Sequence, residues 1–290
     1  MSRNRLTGFV FDNNVAHGAF VEIDEGAGDM LGHRDYGDDV RRLIGEAAAA
    51  MPLLATHLRF EGRINLQFQG ENALKLLVAQ VDHHLEVRAM AKIAPGASGS
   101  FTELMGGGLL ALMLEPKGDQ RQASQATVPI EGESLARALE RYFSLSEQLP
   151  TLMRLAADGG KLRGFMLQRL PLEDARGTED DWNHLAILAA TLTPQEMLQA
   201  DAQTLLRRLF HEEDLRLFEP RPVTLACRCS RAGISRLLLS LGQEEADSII
   251  AEQGRIAVTC EFCGKEYVFN KAETAELFAA AGSVPSNTRH

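Results

Sequence analysis

The side chains of this 290-residue sequence with the most distinctive chemistry are four cysteines, and they come as two close pairs. Cys227-Arg228-Cys229 and Cys260-Glu261-Phe262-Cys263 are separated by 30 residues. Two knuckles of paired thiols can together offer four soft ligands to one tetrahedral zinc ion. Gly264 directly follows the second pair, where a residue without a side chain lets backbone amides turn toward the sulfurs. The first pair has a single residue between its cysteines, and Arg221, Arg228, Arg231 and Arg236 surround it with no acidic residue among them. Positive charge and a bound metal both favour thiolate over thiol. Thiolates are what oxidants attack, and a neighbouring thiol captures the resulting sulfenic acid as a disulfide. The spacing alone leaves several readings open: a structural zinc ribbon, a redox-active centre, a nucleic-acid-binding zinc ribbon, or a thiol oxidoreductase built on Cys260 and Cys263. The oxidoreductase reading lacks a preceding βαβ unit, and the nucleic-acid reading lacks aromatic residues interleaved with the arginines.

Composition narrows the field. With 30 basic against 40 acidic side chains and a formal net charge of −10, a surface built to coat nucleic acid or anionic lipid is not expected. Hydrophobic residues at 45% and charged residues at 24% are a globular mix able to bury a core, and the length suits about two domains. The best apolar run, Leu109 to Leu114, falls far short of the roughly 20 residues that cross a bilayer. Met1 to Arg5 is polar, and the next stretch is broken by Gly8, Asp12 and Asn13, so no signal segment is expected. The expected compartment is the cytoplasm, where thiols stay reduced and clustered cysteines serve metal or redox chemistry.

The elements that must position these thiols are set by periodicity. Phe9 to Ile23 reads as strand, and Asp38 to Leu58 as a helix with apolar positions Val40, Leu43, Ile44, Ala47, Met51, Leu54 and Leu58, with Pro52 placed to kink it. Strands are expected over Ile64 to Phe68, Ala73 to Val81, Leu85 to Ile93, Leu109 to Leu114, Gln122 to Ile130, Thr151 to Ala157 and Leu162 to Leu170, and a helix over Ser134 to Gln148. That pattern is α+β: a sheet domain, antiparallel or mixed, with packed helices over 1–171. Residues 172–226 carry a net charge of −6 and read as an acidic linker of short helices. Their apolar positions, Trp182, Leu185, Leu188, Leu192, Leu205, Leu209 and Phe210, are modest in number for a segment of that length. Residues 227–290 form the small cysteine domain.

Two formal motif matches carry no function. Gly106-Gly107-Gly108-Leu109-Leu110-Ala111 fits a dinucleotide fingerprint but precedes a strand instead of opening a helix, and the histidines show no ligand spacing beyond the adjacent His83-His84. Tyr142 and Phe143 read as ordinary core.

Cys-x-Cys, about 30 residues, then Cys-x-x-Cys resembles the redox-regulated 33-kilodalton heat-shock chaperone family. The likeness extends to Tyr142-Phe143 with Ser146-Glu147-Gln148-Leu149-Pro150, to the linker ending in Leu209-Phe210-His211-Glu212-Glu213, and to Cys263-Gly264-Lys265-Glu266-Tyr267-Val268-Phe269, so it covers essentially the whole chain. The resemblance implies a holdase that needs no ATP and is not an enzyme. It implies a reduced, inactive form with one zinc ion per chain on Cys227, Cys229, Cys260 and Cys263. It also implies an active form with disulfides Cys227–Cys229 and Cys260–Cys263. Unfolding client proteins and a second copy of the oxidised chain are the implied partners, with neither nucleic acid nor membrane among them.

Overall fold

The computed structural model describes residues 3–56, 61–118, 123–171 and 177–282. The chain divides into two compact units, Met1–Ala226 and Cys227–His290, and the architecture is α+β, as the sequence pattern leads one to expect.

The first unit opens with β1 (Arg5–Phe11) and β2 (Ala16–Ile23), an antiparallel hairpin. This corrects the reading of Phe9 to Ile23 as one strand. Asp12-Asn13-Asn14 reverses the chain, with Asn14 at φ 52 and the Val15 amide donating to Asn13 Oδ1 at 3.1 Å; asparagine tolerates that left-handed backbone. Next come α1 (Ala27–Gly32), α2 (Asp38–Ala55), β3 (Gly62–Gln69), β4 (Leu74–Asp82), β5 (Glu86–Ile93), α3 (Phe101–Met105), β6 (Leu109–Pro116) and β7 (Ser124–Pro129). Leu58 and Gln122, where a helix and a strand were expected to end and begin, lie outside the described residues. Pro52 sits inside α2, buried, and the helix runs on to Ala55. α4 (Leu135–Tyr142) passes into a π-helical turn, Phe143–Glu147, followed by β8 (Thr151–Asp158) and β9 (Lys161–Arg169). Gly106 and Gly108, both at positive φ, form the turn into β6, not a phosphate cradle.

The 172–226 segment supplies α5 (Glu179–Ala190), α6 (Pro194–Gln199) and α7 (Ala202–Leu209), then three short strands that sequence patterning does not announce: β10 (Leu215–Leu217), β11 (Arg221–Pro222) and β12 (Thr224–Leu225). β10 and β11 pair with β1 in a sheet ordered β10-β1-β2-β9-β8, whereas β12 joins the other sheet, ordered β12-β5-β4-β3-β6-β7.

α2 lies between the sheets, packing on β2, β8 and β9 of the first and on β3, β4 and β5 of the second. Its run Ala47 to Ala50 is fully buried, because small side chains let both sheets come close to one helix. The far face of the first sheet is also covered. Phe9, Phe11, Phe20 and Phe165 pack there against Trp182, Leu185, Leu192, Met197, Leu205, Leu206 and Phe210, all buried, with the Phe11 and Phe210 rings edge-on at 5.0 Å. The connector is therefore more fully docked than its own apolar count suggests, because half of that core comes from the sheet. Among the described residues no helix is long and apolar enough to cross a membrane.

The second unit contains α8 (Arg231–Leu241), α9 (Gln243–Gln253), the hairpin β13 (Arg255–Thr259) and β14 (Glu266–Asn270), and α10 (Lys271–Gly282). Its core is small: Leu238, Ala246, Ile250, Ile256, Tyr267 and Phe269.

Candidate metal centre

The second cysteine pair sits in the turn of the β13–β14 hairpin. The Cys260 amide donates to the Lys265 carbonyl and the Gly264 amide to the Cys260 carbonyl, both at 2.9 Å. Gly264 takes φ 70, a conformation that side chains disfavour. The first pair lies just ahead of α8, whose N-cap Ser230 accepts a hydrogen bond from the Gly233 amide. These two local structures bring the two cysteine pairs together.

All four sulfurs lie within 4.8 Å of one another, and all four cysteines are half-buried and free. The Sγ atoms of Cys227 and Cys260 are 3.6 Å apart and those of Cys229 and Cys263 3.5 Å apart. In a tetrahedral four-sulfur site with zinc–sulfur bonds of about 2.3 Å, the edges are about 3.8 Å. The donor set and its spacing therefore fit a single tetrahedral ion, and among the described residues no other group of three or more His, Cys, Asp or Glu side chains meets that test.

The protonation of the thiols is uneven. Burial works against the Cys229 thiolate, but hydrogen bonds from the Tyr267 hydroxyl and the other three thiols outweigh it and draw Cys229 down to about 7. Burial and the neighbouring thiols push Cys263 up to about 12, against the opposing pull of the Lys265 amide. Burial also raises Cys227. Hydrogen bonding thus draws Cys229 toward thiolate, while burial holds Cys227 and Cys263 toward the neutral thiol.

Tyr267 is the residue that sequence reasoning missed. Its hydroxyl donates to Cys229 Sγ at 3.1 Å while its ring closes the small core. An outer hydrogen-bond partner of this kind orients a ligand. The sequence offered Tyr267 only as part of the Cys263 to Phe269 likeness, with no role attached to it. Two of the four arginines have partners away from the thiols. Arg231 reaches Glu273 at 2.7 Å and the Val268 carbonyl at 3.0 Å, with its guanidinium 4.2 Å from the Phe269 ring centre. Arg221 donates to the His83 carbonyl at 3.4 Å. Both are fold contacts.

Comparison with known proteins places the chain. The family model described as Hsp33 protein matches residues 4–270. The chain belongs to the Hsp33 family. Curated relatives named 33 kDa chaperonin include one from Pseudomonas paraeruginosa, 41% identical with 97% of each chain covered, and one from Nitrosococcus oceani, 41% identical with 100% of this chain and 99% of the relative covered. The crystal structure of a 33 kDa chaperonin from Thermotoga maritima superposes with a TM-score of 0.83, covering 96% of this chain and 99% of that one at 20% identity. The fold is thus shared even where the sequence has diverged. Family membership makes this a stress-response chaperone, and its cysteine cluster suits both redox chemistry and metal binding.

Proposed function

We propose that this chain is a redox-regulated, ATP-independent holdase in the cytoplasm. In this reading residues 1–171 bind clients, 172–226 form a metastable linker, and 227–290 are the switch. The observation that carries it is the convergence of four free thiols in a unit whose buried apolar core, among the described residues, is six side chains.

In the reduced protein Cys227, Cys229, Cys260 and Cys263 hold one zinc ion, which contributes the stability that so small a core cannot, about 10 to 16 kcal/mol for structural sites. Tyr267 orients Cys229, and the Lys265 amide supports Cys263. Two equivalents of hydrogen peroxide, with four protons from solvent, then oxidise the four thiolates to the disulfides Cys227–Cys229 and Cys260–Cys263 and are themselves reduced to four molecules of water. Sulfurs bonded to each other no longer serve as ligands, so the unit loses its cross-link and unfolds. The linker then loosens, and the faces of α5 to α7 together with the phenylalanine surface beneath them become available to unfolding proteins. Chains exposing such surface also associate, so the oxidised form is a homodimer. No step uses a nucleotide, and the chain is not an enzyme.

The test follows zinc release and light scattering of a heat-unfolding client in one sample during peroxide treatment. One zinc per reduced chain, released as scattering is suppressed, is the expected result. Suppression by the reduced form equal to that of the oxidised form overturns the proposal.

A further inference from the structure

We propose that the edge of β5 over Leu85 to Val87 is a strand-accepting site for an extended apolar polypeptide segment, filled in this structure by the chain's own Val223 to Ala226. The inference rests on the holdase reading and deepens it, by naming where and how a client segment is held.

The self-occupant shows what the site requires. Thr224 and Leu225 pair in parallel with Glu86 and Val87. The Thr224 amide donates to the Leu85 carbonyl at 3.1 Å, the Ala226 amide to the Val87 carbonyl at 2.9 Å, and the Val223 amide to the Asn4 carbonyl at 3.1 Å. Asn4 is itself fixed, its side chain accepting from the Asp24 and Glu25 amides and donating to the Glu25 carbonyl. Side chains alternate as a strand demands. Val223 is 1% exposed within the inner core, Thr224 faces solvent, and half-buried Leu225 packs against that same core. Main-chain hydrogen bonds with pockets for alternate side chains are the means by which sheet edges take up peptides. The requirement is two aliphatic residues two positions apart on an extended backbone, which unfolding proteins supply without any defined sequence.

Two features make the site exchangeable and bounded. The strap is a two-residue parallel strand, too short to be stable without its covalent tether. Farther along β5 the edge is closed, because the buried Tyr36 hydroxyl accepts from the Ala91 amide at 3.2 Å and donates to the Ala91 carbonyl at 3.0 Å. A client can therefore add a short strand but cannot extend the sheet indefinitely.

The tether is also the point at which oxidation acts. Cys227 follows Ala226 directly, and its sulfur lies 3.6 Å from that of Cys260. One hydrogen peroxide takes two electrons from the Cys227 and Cys229 thiolates, two protons from solvent complete the two waters formed, and the new bond draws these sulfurs to about 2.05 Å. Closing that small ring re-orients the backbone beside Ala226, whose amide makes the strap's last hydrogen bond.

A fluorescently labelled peptide of residues 219–226 is titrated against the full-length reduced and peroxide-oxidised protein, with a control peptide N-methylated at the positions of Thr224 and Ala226. The expected result is binding to the oxidised form at least tenfold tighter than to the reduced form. It should be lost on N-methylation and accompanied by slowed amide exchange around Glu86 to Val87. Equal binding to both forms, or indifference to N-methylation, overturns the assignment. So does retained exchange protection of the Val223 to Ala226 amides in an oxidised dimer, which means the strap has stayed home or moved to the second copy. Should the oxidised chain suppress client scattering yet bind no peptide, only this inference fails. Should it not suppress scattering at all, the holdase reading fails first.

Discussion

The docked connector and the cysteine unit are both small helical assemblies packed on β-strands, but different forces hold them. α5 to α7 bury Trp182, Leu185, Leu192, Met197, Leu205, Leu206 and Phe210 on four phenylalanines of the first sheet, and that apolar contact is indifferent to redox state. Among the described residues the cysteine unit offers six buried apolar side chains around a hairpin whose turn is a thiol knuckle. The difference teaches where a chemical signal can enter. In the proposed switch, oxidation removes a metal cross-link but no apolar area, so it acts first on the cysteine unit and on the connector only as a consequence.

The largest expected effect comes from removing that cross-link. Cys263→Ser should abolish the cooperative folding of residues 227–282, through loss of the about 10 to 16 kcal/mol that structural zinc supplies. Amide exchange checks it: protection should vanish in α8 to α10, fall partly in α5 to α7, and persist in α2. If the connector loses protection as completely as the cysteine unit does, the two assemblies are one cooperative body and the contrast between them fails.

Next in size is a change to the apolar assembly alone. Phe210 lies against Phe11 and Phe9, with ring centres at 5.0 and 6.3 Å. Phe210→Ala should destabilise connector docking by about 3 to 5 kcal/mol, read by chemical denaturation and by exchange in α5 to α7, with zinc content unchanged. Aggregation suppression by the reduced variant is the corresponding functional outcome.

What was legible in the sequence divides along the same line. The thiol cluster declared itself because cysteine pairs are rare and their spacing is short-range information. The strands from Ile64 to Ile93 were legible because turn residues at Gly70-Glu71-Asn72 and Asp82-His83-His84 punctuate them. The depth of connector docking was not. Phe9, Phe11, Phe20 and Phe165 face one way on strands whose alternate residues face α2, and a sheet buried on both faces looks, in one dimension, like any apolar strand. Arg231 misled for a related reason: proximity to Cys229 in sequence said nothing of Phe269 and Glu273, which reach it from β14 and α10.

A smaller effect tests whether the inner core and the connector are independent. Burial pushes Glu46, on α2, up to about 7 from an ordinary value of 4.5, with Arg42 opposing. A carboxyl whose folded pKa is raised binds its proton more tightly when folded. Stability of the first unit should therefore decline as pH rises from about 4.5 to about 7 and level off above, by up to about 3 kcal/mol. Glu46→Gln should flatten that slope in thermal melts. If exchange from α5 to α7 tracks the same pH window, the connector feels the inner core, and the two faces of the first sheet are coupled.

The smallest change acts at the entrance to the connector. Gly177 sits so close to Val15 that a Cβ built there would run into Val15 Cγ2 and lie 2.8 Å from its Cβ, with Asp181 Oδ2 at 3.2 Å. Val15 is fully buried and cannot yield, so in Gly177→Ala the connector backbone must. The next residue, Thr178, caps α5 through a reciprocal pair with Asp181, and Glu179 pairs with Arg169. A shift at Gly177 therefore disturbs the cap and the ion pair together. Overpacking of this kind costs about 1 to 3 kcal/mol, less than Phe210→Ala because the apolar faces remain intact. Exchange should quicken in the first turns of α5 while α7 keeps its protection and zinc content stays the same. Unchanged α5 protection would show that the Val15 contact does not fasten the connector. Loosening of all three helices would show that they dock as a single piece, so that a local push at the entrance is enough to free the whole connector without any chemistry at the thiols.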